Sequence, residues 1–421
     1  MSLEIINSSV QAVEIPVTDV EIGMYVNELD IPWLESPFIY QGFIVETKQQ
    51  LEQLKSVCHF VSVDVRKSTN KRMPKSARSG DYEVSVEREL GAANGVREST
   101  RKLVKNIFQE IELGKGIDGN KVQDVVHETV DSVLRNPDAL TLLTQIKNKD
   151  EYTAEHSMNV SILSAAFGRY MGMSRVEIEE IAYCALLHDV GKIRVPTEIL
   201  NKEGALNGDE FGIMKKHTVF GRAILMASDA MMTPAVDVAY AHHERMDGTG
   251  YPRQLPRENI PQLAKLIAIT DAYDAITSTR CYKSARSPFE ALTVIYDNRG
   301  RQFDDKLTEK FVECVGVYPP GSIVEMTNGE IGIVLSVHPE HKLNPRVIMV
   351  RDAEKKPRHE RIVHLRHADL DGEGAPYKVR KTHANGEFGV SLKEYLERGL
   401  RLGEHPPTGI QAAVLNVSES A

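Results

Sequence analysis

The chain has 421 residues, and 51 basic against 60 acidic side chains give a formal charge of −9. At roughly 150 residues per domain this length suits about three domains. The 41% hydrophobic and 26% charged content is ordinary soluble composition, which excludes a disordered chain, a collagen and a disulfide-stapled miniprotein.

No uncharged apolar run approaches the ~20 residues that span a bilayer. The opening MSLEIINSSV has an acid and no base, unlike a signal peptide. Cys58, Cys184, Cys281 and Cys314 are scattered without a CxxC pair, so the expectation is a cytoplasmic protein with reduced thiols and no membrane contact. The acidic balance argues against a DNA-binding role.

Residues 1–65 read as a small mixed module, with strands over Val20–Leu29 and Phe38–Val45 and a short helix at Leu51–Val57. Trp33, the only tryptophan, suits its core. Arg66, Lys67, Lys71, Arg72, Lys75 and Arg78 then sit among Ser, Asn, Pro and Gly with no acid, the pattern of a solvated basic linker. From 82 to 148 the period becomes helical: Leu103, Ile107 and Ile111 recur every four residues, and Val122, Val125, Val126 and Val130 form a second stripe.

Residues 149–318 read as almost all helix. Ile178, Ile181, Ala182, Ala185 and Leu186 trace one amphipathic face, and Gly248, Gly250, Pro252 and Pro256 mark a loop. From 319 to 370 the period is two, with Asn328-Gly329 between apolar runs predicting a type I′ hairpin and Arg346–Val350 a further strand. One short helix is expected near Leu392–Leu400. The division is an N-terminal module with linker and connecting helices (1–148), a helical domain (149–318), a small β extension (319–374) and a tail (375–421).

Five histidines, His156, His188, His217, His242 and His243, fall in the helical region and align with its apolar stripes, as do Asp189 and Asp271. A lone histidine on such a face is more often a hydrogen-bonded core residue. Several helices pointing imidazoles and carboxylates inward need another explanation, because unpaired buried polar groups cost free energy. The set is all nitrogen and oxygen, suited to Fe, Mn, Zn, Ni or Cu. Seven candidates are too many for one tetrahedral ion and suit two ions with a bridging carboxylate, which would activate water and neutralise phosphoryl charge. Lys192, Arg280 and Lys283 supply cations nearby, and Arg can grip a phosphate bidentately. Cys184, one turn before His188, reads as a packed core thiol. His338, His341, His359, His364, His367, His383 and His405 have no matching constellation and are expected at the surface. Arg351–Arg366 is basic but reads as a solvated face.

His188-Asp189-Val190-Gly191-Lys192 and His242-His243-Glu244-Arg245-Met246-Asp247-Gly248-Thr249-Gly250-Tyr251-Pro252 resemble the two signature motifs of the HD-GYP family of metallophosphohydrolases. Asp271-Ala272-Tyr273-Asp274 through Arg280-Cys281-Tyr282-Lys283 resembles its third motif. Residues 14–65 and beyond resemble an uncharacterised module found before such domains. The resemblance implies a mainly α chain: an all-helical HD-type metallohydrolase domain between a small mixed α/β module and a small C-terminal β unit. It also implies hydrolysis of cyclic di-GMP to pGpG and onward to GMP in some members.

Position by position, His156, His188, Asp189, His217, His242, His243 and Asp271 resemble metal ligands, with Asp189 bridging two divalent ions. Iron or manganese is the family's usual metal, with Ni, Zn, Cu or Co also open. Lys192 is implied as the catalytic lysine that holds the scissile phosphate or assists the leaving group. Gly250, Tyr251, Pro252, Asp274, Arg280 and Lys283 are implied in substrate binding, and the Gly250–Pro252 loop is a surface offered to partners such as diguanylate cyclases. A homodimer fits the same picture. Where some members carry a Glu that supports a third metal, this chain has Tyr152, flanked by Glu151 and Glu155, which argues for two ions. The rival readings are a cyclic di-GMP receptor with little turnover and an HD hydrolase of another cyclic dinucleotide.

Overall fold

The structure is a computed structural model. It describes residues 13–17, 20–29, 31, 36–38, 42–58, 60–64, 67–69, 84–146, 152–278, 286–338, 341–367, 369–372, 374–383 and 385–397. Trp33, most of the basic linker, Glu151, Arg280, Lys283 and His405 lie outside the described residues.

The N-terminal module is an antiparallel sheet of β1 (Val13–Pro16), β2 (Tyr25–Leu29), β3 (Phe43–Ile44) and β4 (Phe60–Val63) in the order β1-β4-β2-β3, with helix α1 (Lys48–Val57). Both expected strands come out shorter than their apolar runs. Gly23 takes φ 93° and turns the chain just before Tyr25, so β2 cannot begin at Val20. Helix α1 starts ahead of its predicted boundary because Thr47 and Gln50 form a capping box. Val20, Met24, Val26, Val45, Leu54, Val61 and Val63 make a core of its own for this module.

Helices α2 (Val86–Glu112), α3 (Gly119–Arg135) and α4 (Pro137–Leu143) follow. Their buried stripe, including Ile107, Val122, Val126, Val130 and Leu140, joins the same apolar core as the helices after 150. These are α5 (Tyr152–Tyr170), α6 (Arg175–Leu187), α7 (Thr197–Leu200), α8 (Gly208–Lys215), α9 (His217–Met226), α10 (Thr233–Ala241), α11 (Gln262–Thr277), α12 (Pro288–Asp297) and α13 (Asp305–Val315). By packing, then, α2–α4 share the apolar core of the helical body, while Arg88 of α2 also pairs with Glu28 of β2.

A second antiparallel sheet runs β5 (Ile323–Met326), β6 (Ile331–Ser336), β7 (Arg346–Arg351), β8 (Pro357–His364) and β9 (Val379–His383) in the order β8-β7-β6-β5-β9. The sheet therefore continues past residue 374. Helix α14 (Leu392–Glu397) ends the described chain. The Asn328-Gly329 hairpin exists, but its turn is not type I′, which needs positive φ at both central residues. Only Gly329 has it (φ 86°), and Met326 N donates to Glu330 O across a loop longer by one residue.

His383 corrects the surface reading. It is 7% exposed, with Nδ1 2.5 Å from Glu387 Oε2 and Nε2 3.1 Å from Glu325 Oε2. His341 and His359 are exposed as expected, and His338 and His364 are half-buried. Within the basic stretch, Lys355 pairs with Glu325 and Arg358 with Glu330, so these cations are spent inside the unit.

Candidate metal centre

Four helices and two turns bring the seven candidate ligands together. His156 comes from α5, His188 caps the C-terminus of α6, and Asp189 begins the 3-10 turn Val190–Arg194. His217 opens α9, His242 and His243 follow α10, and Asp271 lies within α11. Local packing explains the convergence. A Cβ on Gly191 would lie 1.9 Å from His217 O and 2.3 Å from Gly221 N, so only glycine lets the turn after Asp189 rest on the start of α9.

The ligand atoms of Asp189, His217, His242 and His243 lie within 4.8 Å of one another, and so do those of His156, His188 and Asp271. Asp189 stands between the groups. Its Oδ1 is 3.4 Å from His217 Nε2 and 3.7 Å from His242 Nε2, while Oδ2 is 3.5 Å from His156 Nε2 and 3.3 Å from His188 Nε2. Asp271 Oδ1 is 3.0 Å from His156 Nε2. His243 and Asp271 are half-buried; the other five are buried.

The opposite edges of the imidazoles fix their tautomers. His188 Nδ1 donates to Ala185 O (2.6 Å), His217 Nδ1 to Met214 O (2.8 Å) and His242 Nδ1 to Val238 O (3.1 Å). A carbonyl can only accept, so the proton is on Nδ1 and each Nε2 lone pair points inward. His156 Nδ1 makes the equivalent bond to Asp274 Oδ2 at 2.8 Å. The centre is thus crowded with lone pairs: His217 Nε2 and His242 Nε2 face each other at 3.4 Å, and His188 Nε2 and Asp189 Oδ1 are buried without a hydrogen-bond partner. Such a set is satisfied by cations between the ligands. Residues and donor chemistry fit divalent metal.

The electrostatics agree. Burial disfavours the Asp189 anion, but the Lys192 ammonium against its Oδ2 holds its carboxyl well below the usual range. Burial likewise opposes ionisation of Asp271, which the neighbouring imidazoles outweigh, keeping it low. Burial pushes His217 down to about 3, and His243 well below the ordinary histidine value. At neutral pH these are neutral imidazoles and ionised carboxylates, the forms that bind metal.

Of the remaining predicted residues, Lys192 Nζ contacts Asp189 Oδ2, with 17% of its side chain exposed. Tyr251 lies over His243 with ring centroids 4.7 Å apart, and its N–H donates to His243 O. Burial, with Asp189 and Asp271 nearby, raises its phenol, so it stays protonated. The Tyr251–Pro252 bond is cis. A Cβ on Gly250 would lie 2.4 Å from Arg245 N, so the loop folds tightly over the residues after His243. Asp274 is not turned to the cleft: its buried carboxylate accepts from His156, from Asn159 Nδ2 (3.1 Å) and from Ser278 Oγ (3.3 Å). Glu155 is buried against Arg97 Nη2 at 3.3 Å. Cys184 is a fully buried thiol, as expected, and burial pushes it up.

The HD domain family matches residues 141–307, and "Domain of unknown function (DUF3391)" matches residues 12–122. Cyclic di-GMP phosphodiesterase PA4108 of Pseudomonas aeruginosa is 36% identical over 356 residues, covering 81% of this chain and 86% of that protein. The chain belongs to the HD-GYP family. Other relatives match a smaller share of the chain. The cyclic di-GMP phosphodiesterase of Thermotoga maritima is 39% identical over 39% of this chain and 45% of its own. The 3'3'-cGAMP-specific phosphodiesterase 2 of Vibrio cholerae is 33% identical over 41% of this chain and 33% of its own.

Two residues of this HD-GYP chain had no predicted role. Glu244 is buried, with Oε1 accepting from Arg253 N–H (2.7 Å) and Oε2 from Leu255 N–H (3.0 Å), so it clasps both ends of the turn after Tyr251. An acid directly after the paired histidines, ahead of a Gly- and Pro-rich loop, was its only sequence signal. Asn159, which ties Asp274 to Thr144 O, is a polar residue one turn after His156, on the face that carries the ligand.

Proposed function

We propose that this protein is a metal-dependent phosphodiesterase that hydrolyses cyclic di-GMP to pGpG in the bacterial cytoplasm. The observation that carries the reading is the arrangement of five imidazoles, four of them anchored through Nδ1, around a carboxylate whose two oxygens face two separate ligand groups.

Asp189, His217, His242 and His243 would hold one divalent ion, and His156, His188 and Asp271 a second, with Asp189 shared. Nitrogen and oxygen donors of this kind suit iron or manganese. Bound there, the ions polarise the phosphoryl oxygens and lower the pKa of water. Lys192, held against Asp189 and partly exposed, is placed to meet the phosphate or to give a proton to the departing 3′ oxygen. In hydrolysis, water adds to phosphorus, the P–O3′ bond breaks, and O3′ takes up a proton. Tyr251 closes one wall over His243. Arg280 and Lys283 would bind phosphate from the segment after α11. The exposed Asp247 and Thr249 leave a face for a partner such as a diguanylate cyclase. Among the described residues no helix is long and apolar enough to cross a membrane.

The test is anaerobic hydrolysis of cyclic di-GMP by purified protein, with metal content measured on the same sample and 3'3'-cGAMP as a parallel substrate. Turnover to pGpG with about two metals per chain is expected. Tight binding without turnover under Fe(II) and Mn(II) would replace the enzyme by a receptor. A strong preference for 3'3'-cGAMP, as the name of the Vibrio cholerae relative suggests, would change the substrate and keep the chemistry.

A further inference from the structure

Beside Tyr251 stands an aromatic ring that the candidate metal centre does not use. Phe211 lies on α8 and is 46% exposed. Its ring meets Tyr251 edge-on, with centroids 6.1 Å apart at 82°, and Tyr251 in turn lies over His243. Lys215, one turn after Phe211, places Nζ 5.2 Å from the Phe211 centroid and 6.0 Å from that of Tyr251. A ladder of rings therefore runs from a candidate ligand to the surface, with a cation at its outer end. A lone exposed phenylalanine needs no explanation. This one continues a phosphate-handling site outward, on a helix none of whose residues is fully buried, so core packing does not account for it.

We propose that Phe211 is the stacking platform for one guanine of the cyclic dinucleotide, with Lys215 facing the acceptor edge of that base. The proposal rests on the phosphodiesterase reading above. The base is tethered to the phosphate, so fixing the diester at the metals holds a base nearby. Every base has a π face that stacks on an aromatic ring, and guanine presents O6 and N7 as adjacent acceptors that an ammonium can meet. Glu210 of the same helix is already paired with Lys202 at 2.6 Å.

The test compares kcat/KM for cyclic di-GMP with that for p-nitrophenyl methyl phosphate, a diester without a nucleobase, in the metal-loaded full chain. Phe211→Ala is expected to lower the preference for the cyclic dinucleotide by about 5- to 150-fold, with most of the change in KM. Phe211→Trp should restore it, and Phe211→Leu, apolar but without a π face, should not. Lys215→Gln should lower the preference further at low salt than at high salt. An equal loss on both substrates, or restoration by leucine as good as by tryptophan, overturns the platform while leaving the phosphodiesterase intact. If wild-type protein cleaves the small diester but not cyclic di-GMP, the substrate reading fails and the platform falls with it.

Discussion

Glu244→Gln isolates the clasp on the Tyr251 loop. The carboxylate satisfies two backbone donors, Arg253 N–H at 2.7 Å and Leu255 N–H at 3.0 Å, from a position only 4% exposed. The glutamine amide has the same shape but only one acceptor, so one N–H keeps a weaker, uncharged bond and the other faces an NH2 donor. Losing one charge-assisted bond and leaving a buried donor unmet costs about 2–3 kcal/mol. The loop should therefore open about 30- to 150-fold more often. Amide hydrogen exchange reads this directly, because Arg253 and Leu255 exchange through local opening. Their protection should fall by that factor, while amides in α5 and α6 keep theirs and the metal content stays near wild type. Cyclic di-GMP hydrolysis should weaken mainly through KM, since Tyr251 is then less often in place. Protection of Arg253 and Leu255 within threefold of wild type would show that something other than Glu244 holds the loop.

Asp189→Ala removes the carboxylate that faces both ligand groups and should abolish hydrolysis and strip metal while circular dichroism stays near wild type; retained activity would dismantle the proposed centre. Asp274→Ala leaves His156 without its Nδ1 acceptor and should weaken metal binding about 10- to 100-fold, measured by competition with a chelating dye. In metal-stripped protein, His217 is pushed down to about 3, below its unfolded value of about 6.5. The unfolded chain then binds a proton that the folded one refuses, so stability falls as pH drops below about 6.5, by up to about 1.4 kcal/mol per unit, until the folded value is reached. Melting curves of wild type and His217→Gln between pH 7 and 4 should converge as the pH falls; parallel curves would contradict it.

The candidate ligands were legible because each is a polar side chain on an apolar stripe, a pattern expensive enough in a core to need a partner. What each ligand leans on was less so. Asp271 and Asp274, one turn apart on α11, lie at opposite nitrogens of the same imidazole, His156, and only Asp274 accepts its proton. Spacing placed both near the centre but could not say that the second faces away from the cleft. Glu325 and His383 are 58 residues apart, and only the register of β5 on β9 makes them meet. The NG dipeptide announced a hairpin, yet its turn type depended on one extra loop residue that strand pairing chose. The first N-terminal strand was overextended because apolar alternation continues through Gly23, whose positive φ ends the run, and Gly42 (φ 82°) stands in the same way just before β3.

One short segment shows why the flanking units are not passive attachments. Helix α4 ends at Leu143, and the carbonyls that follow have no helical partner, so each must be satisfied from elsewhere. Thr144 O accepts from Asn159 of α5, Gln145 O from Asn385 beyond the C-terminal sheet (3.1 Å), and Ile146 O from Arg97 of α2 (3.1 Å). A Cβ on Gly321, just before β5, would also strike Gln145 Cγ at 2.5 Å, so the β unit sits hard against the same residue. The α4 side of the junction is fixed as well, since Asp138 accepts from Val337 N–H at 3.1 Å. Asn159 and Arg97 continue from these carbonyls to Asp274 and Glu155, the first bonded to His156 and the second its chain neighbour. The position of the first ligand helix is therefore set by three parts of the chain acting on three consecutive peptides. A displacement of α2 or of the β unit has to be taken up there before it can reach the metal centre.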